Sequence, residues 1–403
     1  PKEDAGPREW NPSPFPHDLD QSLPQCYYVG QGGALLKASA PYTEELNWLS
    51  VRRRQRQGEA LRIVDLRSDT VTLPTEEMIE AIRTAKLGDD VFGEDPTVRQ
   101  LEELAAERMG KERALLVTSG TQANLVSLMA QTKRGDEVIL EAECHIYYYE
   151  VGGISAIAGL IPRPLKGTRG SLNPLDVERA IRPKNIHFPE TALVCLENTH
   201  NRAGGAIIPP SEIEKVHDVT QSHGLLLYMD GARIFNAAVA LGVDVKELTK
   251  HVDSMMFCLS KGLSAPVGSI VVGSSRFIER ARKMRKMLGG GMRQAGIIAA
   301  PGIIALEKMV GRLREDHDNA RYLAQGVAKL EGVSLDPLSV QTNIVSFGVS
   351  VPGVDAEQIV SRLAMDGVKI LSIDNDRMRA VTHRGIERDD VQFALDVFGE
   401  VWD

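Results

Sequence analysis

Polar residues that stand directly after apolar runs are the first candidates for chemistry in this sequence, because in open α/β sheets ligands bind at the carboxyl ends of the strands. They are Ser119-Gly120-Thr121, His145 shortly after Leu140, Glu197 to His200, Asp230 to Arg233, and Ser260-Lys261. In "VTSGTQANL" a strand gives way to a helix at Ser119, Gly120 and Thr121. Free backbone amides, a glycine and hydroxyls at a helix N-terminus make a phosphate cup, although Ser and Thr there also serve as plain N-caps. "LLLYMDGARIF" ends its apolar run in Asp230, and a carboxylate is costly to bury without a partner. Either it forms a salt bridge with Arg233 or it pairs with a protonated pyridine nitrogen. In "MFCLSKGLSAPVGS" Lys261 lies between two apolar runs, 31 residues beyond Asp230. Desolvation there lowers a lysine's pKa and makes it an imine former; singly, such a lysine snorkels or pairs with an acid.

Phosphate cup, carboxylate and amine, in that order along an α/β chain, match what pyridoxal phosphate (PLP) needs. Its phosphate needs anion donors, its ring nitrogen a carboxylate and its aldehyde an amine. No G-x-G-x-x-G follows a strand and no G-x-x-x-x-G-K-[ST] occurs, so a dinucleotide or nucleoside triphosphate is not expected.

The elements that position these residues are legible from period and punctuation. Short apolar runs at Ala114–Val117, Glu137–Leu140, Thr191–Leu196, Leu225–Met229, Ser254–Leu259 and Ser269–Val272 alternate with amphipathic helices. That pattern predicts an α/β domain with a mainly parallel sheet covered on both faces. Before the first run, Thr75 caps a helix with Met78, Ile79, Ile82 and Ala85 inward and Gly88 closing it. Asp95 and Pro96 open a second helix that ends at Gly110. A long helical stretch around Ile297–Glu315 follows. Beyond it comes a smaller α+β region with strands near Ile344–Phe347 and Arg379–Thr382 and a last helix near Asp389–Val401. The predicted organisation is an N-terminal arm (1–60), a large domain (61–320) and a small C-terminal domain (321–403).

The chain has 403 residues, enough for two cores, with a net charge of −8 that argues against a nucleic-acid or anionic-membrane partner. No apolar stretch approaches the roughly 20 residues that cross a bilayer. Cys26, Cys144, Cys195 and Cys258 show no metal or disulfide spacing, so neither a metal site nor a disulfide scaffold is expected and a reducing, cytoplasmic home is. The proline-rich, acidic arm reads as neither a signal nor a transit peptide. The basic stretch from Ser50 reads as a solvated helix face. His17, His187, His217, His223, His251 and His317 are expected at the surface or at caps.

The stretches "DLRSDTVT", "GDDVFGEDPTV", "TSGTQAN", "HIYYYEVGG", "LENTHN", "MDGARIFNA", "CLSKGLSAPVGS", "RKMLGGGMRQAG" and "RAVTHR" follow one another in this order. Together they resemble the L-threonine aldolases among the fold-type I PLP enzymes, from about Asp65 to the C-terminus. The resemblance implies retro-aldol cleavage of L-threonine, L-allo-threonine and related β-hydroxy-α-amino acids to glycine and an aldehyde. β-Elimination or another amino-acid reaction on the same scaffold is the alternative. It implies Lys261 as the cofactor-bound lysine, Asp230 as partner of the pyridinium nitrogen, Arg233 near the ring's 3-hydroxyl, and Ser119, Gly120 and Thr121 at the phosphate. His145 would stack on the ring and transfer protons, with His200 a second candidate base. Ser68 and Arg379 would hold the substrate carboxylate, with His383 supporting Arg379, and Lys286 and Arg293 would reach the cofactor phosphate or a neighbouring subunit's site. A homodimer or homotetramer is implied. Phe92 departs from the family, many of whose members carry tyrosine there.

Overall fold

The computed structural model describes residues 62–402. The arm, His17, Cys26 and most of the basic stretch that begins at Ser50 lie outside the described residues. Along the chain the strands are β1 (Val64–Asp65), β2 (Arg113–Val117), β3 (Glu137–Glu141), β4 (Ile161–Leu165), β5 (Thr191–Glu197), β6 (Leu226–Asp230), β7 (Ser254–Cys258), β8 (Ser269–Gly273), β9 (Val333–Ser334), β10 (Ile344–Val349), β11 (Val368–Lys369), β12 (Leu371–Asp374) and β13 (Arg377–Val381).

Successive side chains on a strand point to opposite faces, and in the large sheet both faces are apolar. Leu116, Ile139, Val194, Met229 and Phe257 enter one core, while Leu115, Leu140, Cys195, Tyr228 and Met256 enter the other. A sheet buried on both sides is the signature of parallel α/β architecture. The sheet has the order β2-β8-β7-β6-β5-β3-β4. β4, β3, β5, β6 and β7 pair in parallel, and β8 runs against its neighbours β7 and β2. The carboxyl ends of β2, β3, β5, β6 and β7 therefore share one edge. Helical spacing does the same for the helices: Val98, Leu101 and Ala105 of the Pro96–Met109 helix are buried.

Some elements differ from expectation. β4 reads "IPRPL", and its two prolines argue against a strand; the structure keeps it at the sheet's edge, where missing donors cost no ladder bond. Thr75 does cap the first long helix, accepting from Met78 N at 3.1 Å, but the helix stops at Ala85 and buries only Met78. Gly88 does not close that helix. A Cβ there would stand 2.5 Å from the Glu94 carbonyl oxygen, so the glycine lets the 88–95 loop close on itself. The stretch Ile297–Glu315 is not one helix. It breaks into a helix at Gly296–Ile304 containing Pro301, a π turn at Ala305–Met309 and a helix at Leu313–Val327.

The C-terminal region holds the antiparallel sheet β12-β13-β10-β9. Val64 and Leu66, from the start of the described chain, pack in its core, and β1 pairs in parallel with β11. On β13 Met378 and Ala380 enter that core, so Arg377 and Arg379 point the other way.

Candidate active site

Tyr228 and Asp230 are two residues apart on β6 and share the face that the Gly120–Gln131 helix covers. Asn124 of that helix meets both. The Tyr228 hydroxyl donates to Asn124 Oδ1 at 2.7 Å, and Asn124 Nδ2 donates to Asp230 Oδ2 at 2.9 Å. Asp230 Oδ1 accepts from the Ala232 amide at 3.0 Å. The carboxylate is 2% exposed, and no cation pairs with it among the described residues. The salt bridge to Arg233 is not formed. Arg233 turns instead to Asp69, donating through Nε and Nη2 at 2.7 Å each, and Asn343 donates to the same carboxylate at 3.2 Å. Although burial opposes its charge, the Arg233 guanidinium holds the Asp69 carboxyl far below the ordinary carboxylate range.

Lys261 lies just past the end of β7, half-buried, and no hydrogen bond or salt bridge engages its Nζ among the described residues. Its backbone is fixed: the Thr72 hydroxyl donates to the Lys261 carbonyl at 3.0 Å, and Ser264 N donates to it at 2.8 Å. The "DLRSDTVT" stretch thus reaches both Lys261, through Thr72, and Arg233, through Asp69.

His145 follows β3, its amide donating to Glu197 Oε2 at 2.6 Å, and its Nδ1 meets Glu150 Oε1 at 2.9 Å. Burial opposes a charge on the imidazole, but the Glu150 hydrogen bond and the charges of Asp230 and Glu197 outweigh it and raise its pKa. A ring nitrogen of His145 and carboxylate oxygens of Glu150 and Asp230 lie within 4.8 Å of one another. His200 is 1% exposed. Its Nε2 meets Glu141 at 2.9 Å and its Nδ1 accepts from the Ala203 amide at 3.2 Å, so both ring nitrogens are engaged.

Ser119 caps the Gly120–Gln131 helix, accepting from Gln122 N at 3.2 Å. The amides of Gly120 and Thr121, in the first turn, have no intrahelical acceptor. A Cβ at Gly120 would come within 3.1 Å of Met256 Cε and 3.2 Å of Cys258 Sγ, so glycine lets this helix start close against the sheet.

Arg379 reaches the same edge from β13, donating to Asn201 Oδ1 at 2.9 Å, an oxygen that Arg233 Nη1 also approaches at 3.5 Å. Its Nε is buried without a partner. Burial and then the nearby Arg233 charge disfavour its protonated form, outweighing the opposing pull of Tyr149 and Asp69, and no carboxylate bonds the guanidinium among the described residues. Ser68 caps the short turn after β1, its hydroxyl accepting from Thr70 N at 3.2 Å.

Other expected residues stand apart. Arg293 pairs with Asp89 at 2.9 Å, and Lys286 lines a charged cavity of about 890 Å³ beside β2 that none of Lys261, Asp230, His145 and Arg379 lines. Phe92 is 74% exposed, in the loop that Asp89 orders. His383 does not support Arg379: its Nε2 bonds the Asp65 carbonyl at 2.8 Å and its Nδ1 accepts from Gly385 N. His317 is not at the surface but 2% exposed, bonded to Asn236 Oδ1 at 2.9 Å.

A family described as beta-eliminating lyase matches residues 65–349. A low-specificity L-threonine aldolase 1 of Arabidopsis thaliana is 46% identical over 343 residues, 84% of this chain and 96% of that protein. The low specificity L-threonine aldolase of Escherichia coli strain K12 is 43% identical over 330 residues, 81% of this chain and 96% of that protein. The chain belongs to the low-specificity L-threonine aldolase family. A solved threonine aldolase of Leishmania major shares the fold, with a TM-score of 0.72 at 19% identity, covering 84% of this chain and 99% of that one. The architecture is that of the fold-type I PLP-dependent enzymes, and PLP is the family's cofactor.

The residues of this chain fit that cofactor. A buried carboxylate without a cation suits a pyridinium nitrogen, unclaimed amides at a helix start suit a phosphate, and a lysine whose Nζ no hydrogen bond or salt bridge engages among the described residues suits an aldehyde. Asp69, Asn124, Glu150 and Asn201 belong to the same group and escape sequence reasoning. Asn124 alone left a signal, one helical turn beyond Gly120 and hence on the same helix face.

Proposed function

We propose that this chain cleaves L-threonine, L-allo-threonine and related β-hydroxy-α-amino acids to glycine and an aldehyde. The observation that carries the proposal is Arg379, a guanidinium with a buried, unpartnered Nε beside Asn201, Arg233 and Asp69. A half-buried guanidinium that no carboxylate bonds calls for an anion, and the planar fork of arginine matches the carboxylate of an amino acid.

When bound, PLP supplies a carbonyl that condenses with amines and a ring that draws off the electron pair of a breaking Cα–Cβ bond. Lys261 provides the amine that holds it. Asp230, steadied by Asn124 and the Ala232 amide, keeps a proton on the ring nitrogen. The Gly120 and Thr121 amides, with the hydroxyls of Ser119 and Thr121, hold the phosphate. Arg233, locked by Asp69, offers its remaining N–H groups near the ring's 3-hydroxyl. Arg379 and Ser68 would grip the substrate carboxylate and so set which bond at its α-carbon is poised to break. His145 accepts the β-hydroxyl proton at Nε2, the nitrogen that Glu150 leaves free. His200, with both nitrogens occupied, instead positions Glu141 and the turn beyond it. The site is assembled in a homodimer or homotetramer. Lys286 and Arg293, neither of which bonds Lys261, Asp230, His145 or Arg379 among the described residues, favour a site shared between copies, and a sedimentation mass of one chain would contradict it. Three buried free thiols, Cys144, Cys195 and Cys258, favour a reducing, cytoplasmic location.

Incubating the PLP-loaded protein with L-threonine is expected to release glycine and acetaldehyde in equal amounts. Release of 2-oxobutanoate and ammonia would support the second reading, β-elimination, which the beta-eliminating lyase match favours.

A further inference from the structure

Two buried carboxylates share a single amide at the floor of this site. Asn124 Nδ2 donates to Glu150 Oε1 at 2.6 Å and to Asp230 Oδ2 at 2.9 Å. The Tyr228 hydroxyl, donating to Asn124 Oδ1, fixes which way that amide faces. Glu150 Oε1 also meets His145 Nδ1 at 2.9 Å, and the Glu150 side chain is 1% exposed. A buried carboxylate held by a hydrogen-bonded imidazole on one side and an amide on the other is a built arrangement, since either partner lost would strand a charge. The backbone is bent to make it. Val151, next in sequence, has φ 54° and is 96% exposed, so a branched residue adopts the left-handed region with no packing to reward it. Such a conformation is costly and persists where surrounding bonds demand it. Here the turn, with Gly153 N donating to the Glu150 carbonyl at 2.9 Å, directs Glu150 inward beneath His145.

We propose that Glu150 is a positioning residue for proton transfer: it holds the Nδ1–H of His145 inward, presents the Nε2 lone pair to the cleft, and ties the imidazole through Asn124 to Asp230. The inference rests on the reading of His145 as the group that takes the substrate's β-hydroxyl proton. In that step the O–H bond breaks, Nε2 gains the proton, and the resulting imidazolium is stabilised by the Glu150 carboxylate. A neutral partner could orient the ring but could not stabilise its charge. The groups facing His145 are Glu150, Asp230, Glu197 and the Tyr149 ring, and those facing Glu150 are His145, Asp230, Asn124, Tyr228 and Cys195. The charges among them are negative, so a proton on the imidazole is favoured and Glu150 is its nearest counter-charge.

Histidine NMR titration of the cofactor-free protein tests this without turnover. In the unaltered protein His145 is expected to titrate above the ordinary imidazole value of about 6.5. In Glu150→Gln, which keeps the size and removes the charge, its proton affinity falls by about tenfold or more. In the PLP-loaded enzyme the acidic limb of the kcat profile moves to lower pH by the same interval, with KM for L-threonine little changed. Glu150→Asp, charged but shorter, lies between the two. A folded Glu150→Gln protein with an unmoved His145 titration overturns the inference. Where that variant does not fold, a Glu150→Asp titration identical to the unaltered protein overturns it. Undiminished turnover by His145→Asn would overturn the assignment of the base itself, whatever the titrations show.

Discussion

At the scale of single residues, the proposed grip on the substrate carboxylate turns on Arg379. Its acceptors among the described residues are the neutral oxygens of Asn201 and Arg67, so an incoming carboxylate is the first full negative charge to bond it directly. Arg379→Ala is expected to raise KM for L-threonine and to lower kcat/KM by about 2–4 kcal/mol of binding. Arg379→Lys should recover little, because a point charge cannot repeat the two-pronged contact. Steady-state kinetics decide, and an unchanged KM would contradict the role. Asp230 and Lys261 were legible in the sequence because each is a charge set after an apolar run, where burial demands a purpose. Asp69 was not, since its partner Arg233 lies 164 positions away. The short spacing between Asp230 and Arg233 suggested a pair that the backbone does not allow to meet: the Asp230 carboxylate turns toward the Gly120–Gln131 helix, and Arg233 toward Asp69.

At the scale of elements, caps and apolar runs were read well and interruptions poorly. Asp95, Pro96 and Gly110 bound their helix as their chemistry requires, Asp95 accepting from the amides of Thr97 and Val98 and Gly110 ending it at φ 63°. The π turn at Ala305–Met309 left no trace in the apolar period. Nor did the packing of the Leu313–Val327 helix, which carries Leu313 into one core and Ala320 and Leu323 into another. Polar residues around His317 suggested a surface face, yet that turn is buried between them. Burial first, then the charge of Arg321, hold the His317 imidazole down to about 4. An unfolded chain binds that proton near 6.5, so between the two values the unfolded state carries more protons and stability rises with pH. The helix is therefore expected to lend its full stability above about pH 6.5 and to lose on the order of 3 kcal/mol of it as pH falls to about 4. Denaturant titrations at pH 7 and pH 5 should show a smaller loss for His317→Gln than for the unaltered protein. Equal losses would place the imidazole outside the transition.

At the scale of the whole molecule, the sequence placed the candidate residues at strand ends but did not show how the strand ends come together. Their convergence follows from strand direction: because β8 alone is reversed in the large sheet, β2 ends on the same edge as β3, β5, β6 and β7. Strand order and the pairing of β1 with β11 arise from contacts between distant segments, which no local pattern encodes. The small sheet contributes through simple alternation, Met378 and Ala380 inward and Arg379 outward, so that its own core and the site are served by one strand. The proposed function has a single chemical centre, the amine of Lys261 together with the carboxylate of Asp230. Borohydride reduction of the PLP-loaded protein, followed by peptide mass spectrometry, tests it most directly. A phosphopyridoxyl group on the peptide containing Lys261, absent from Lys261→Ala, is the predicted result. The same group on another lysine, or no adduct at all, would contradict it.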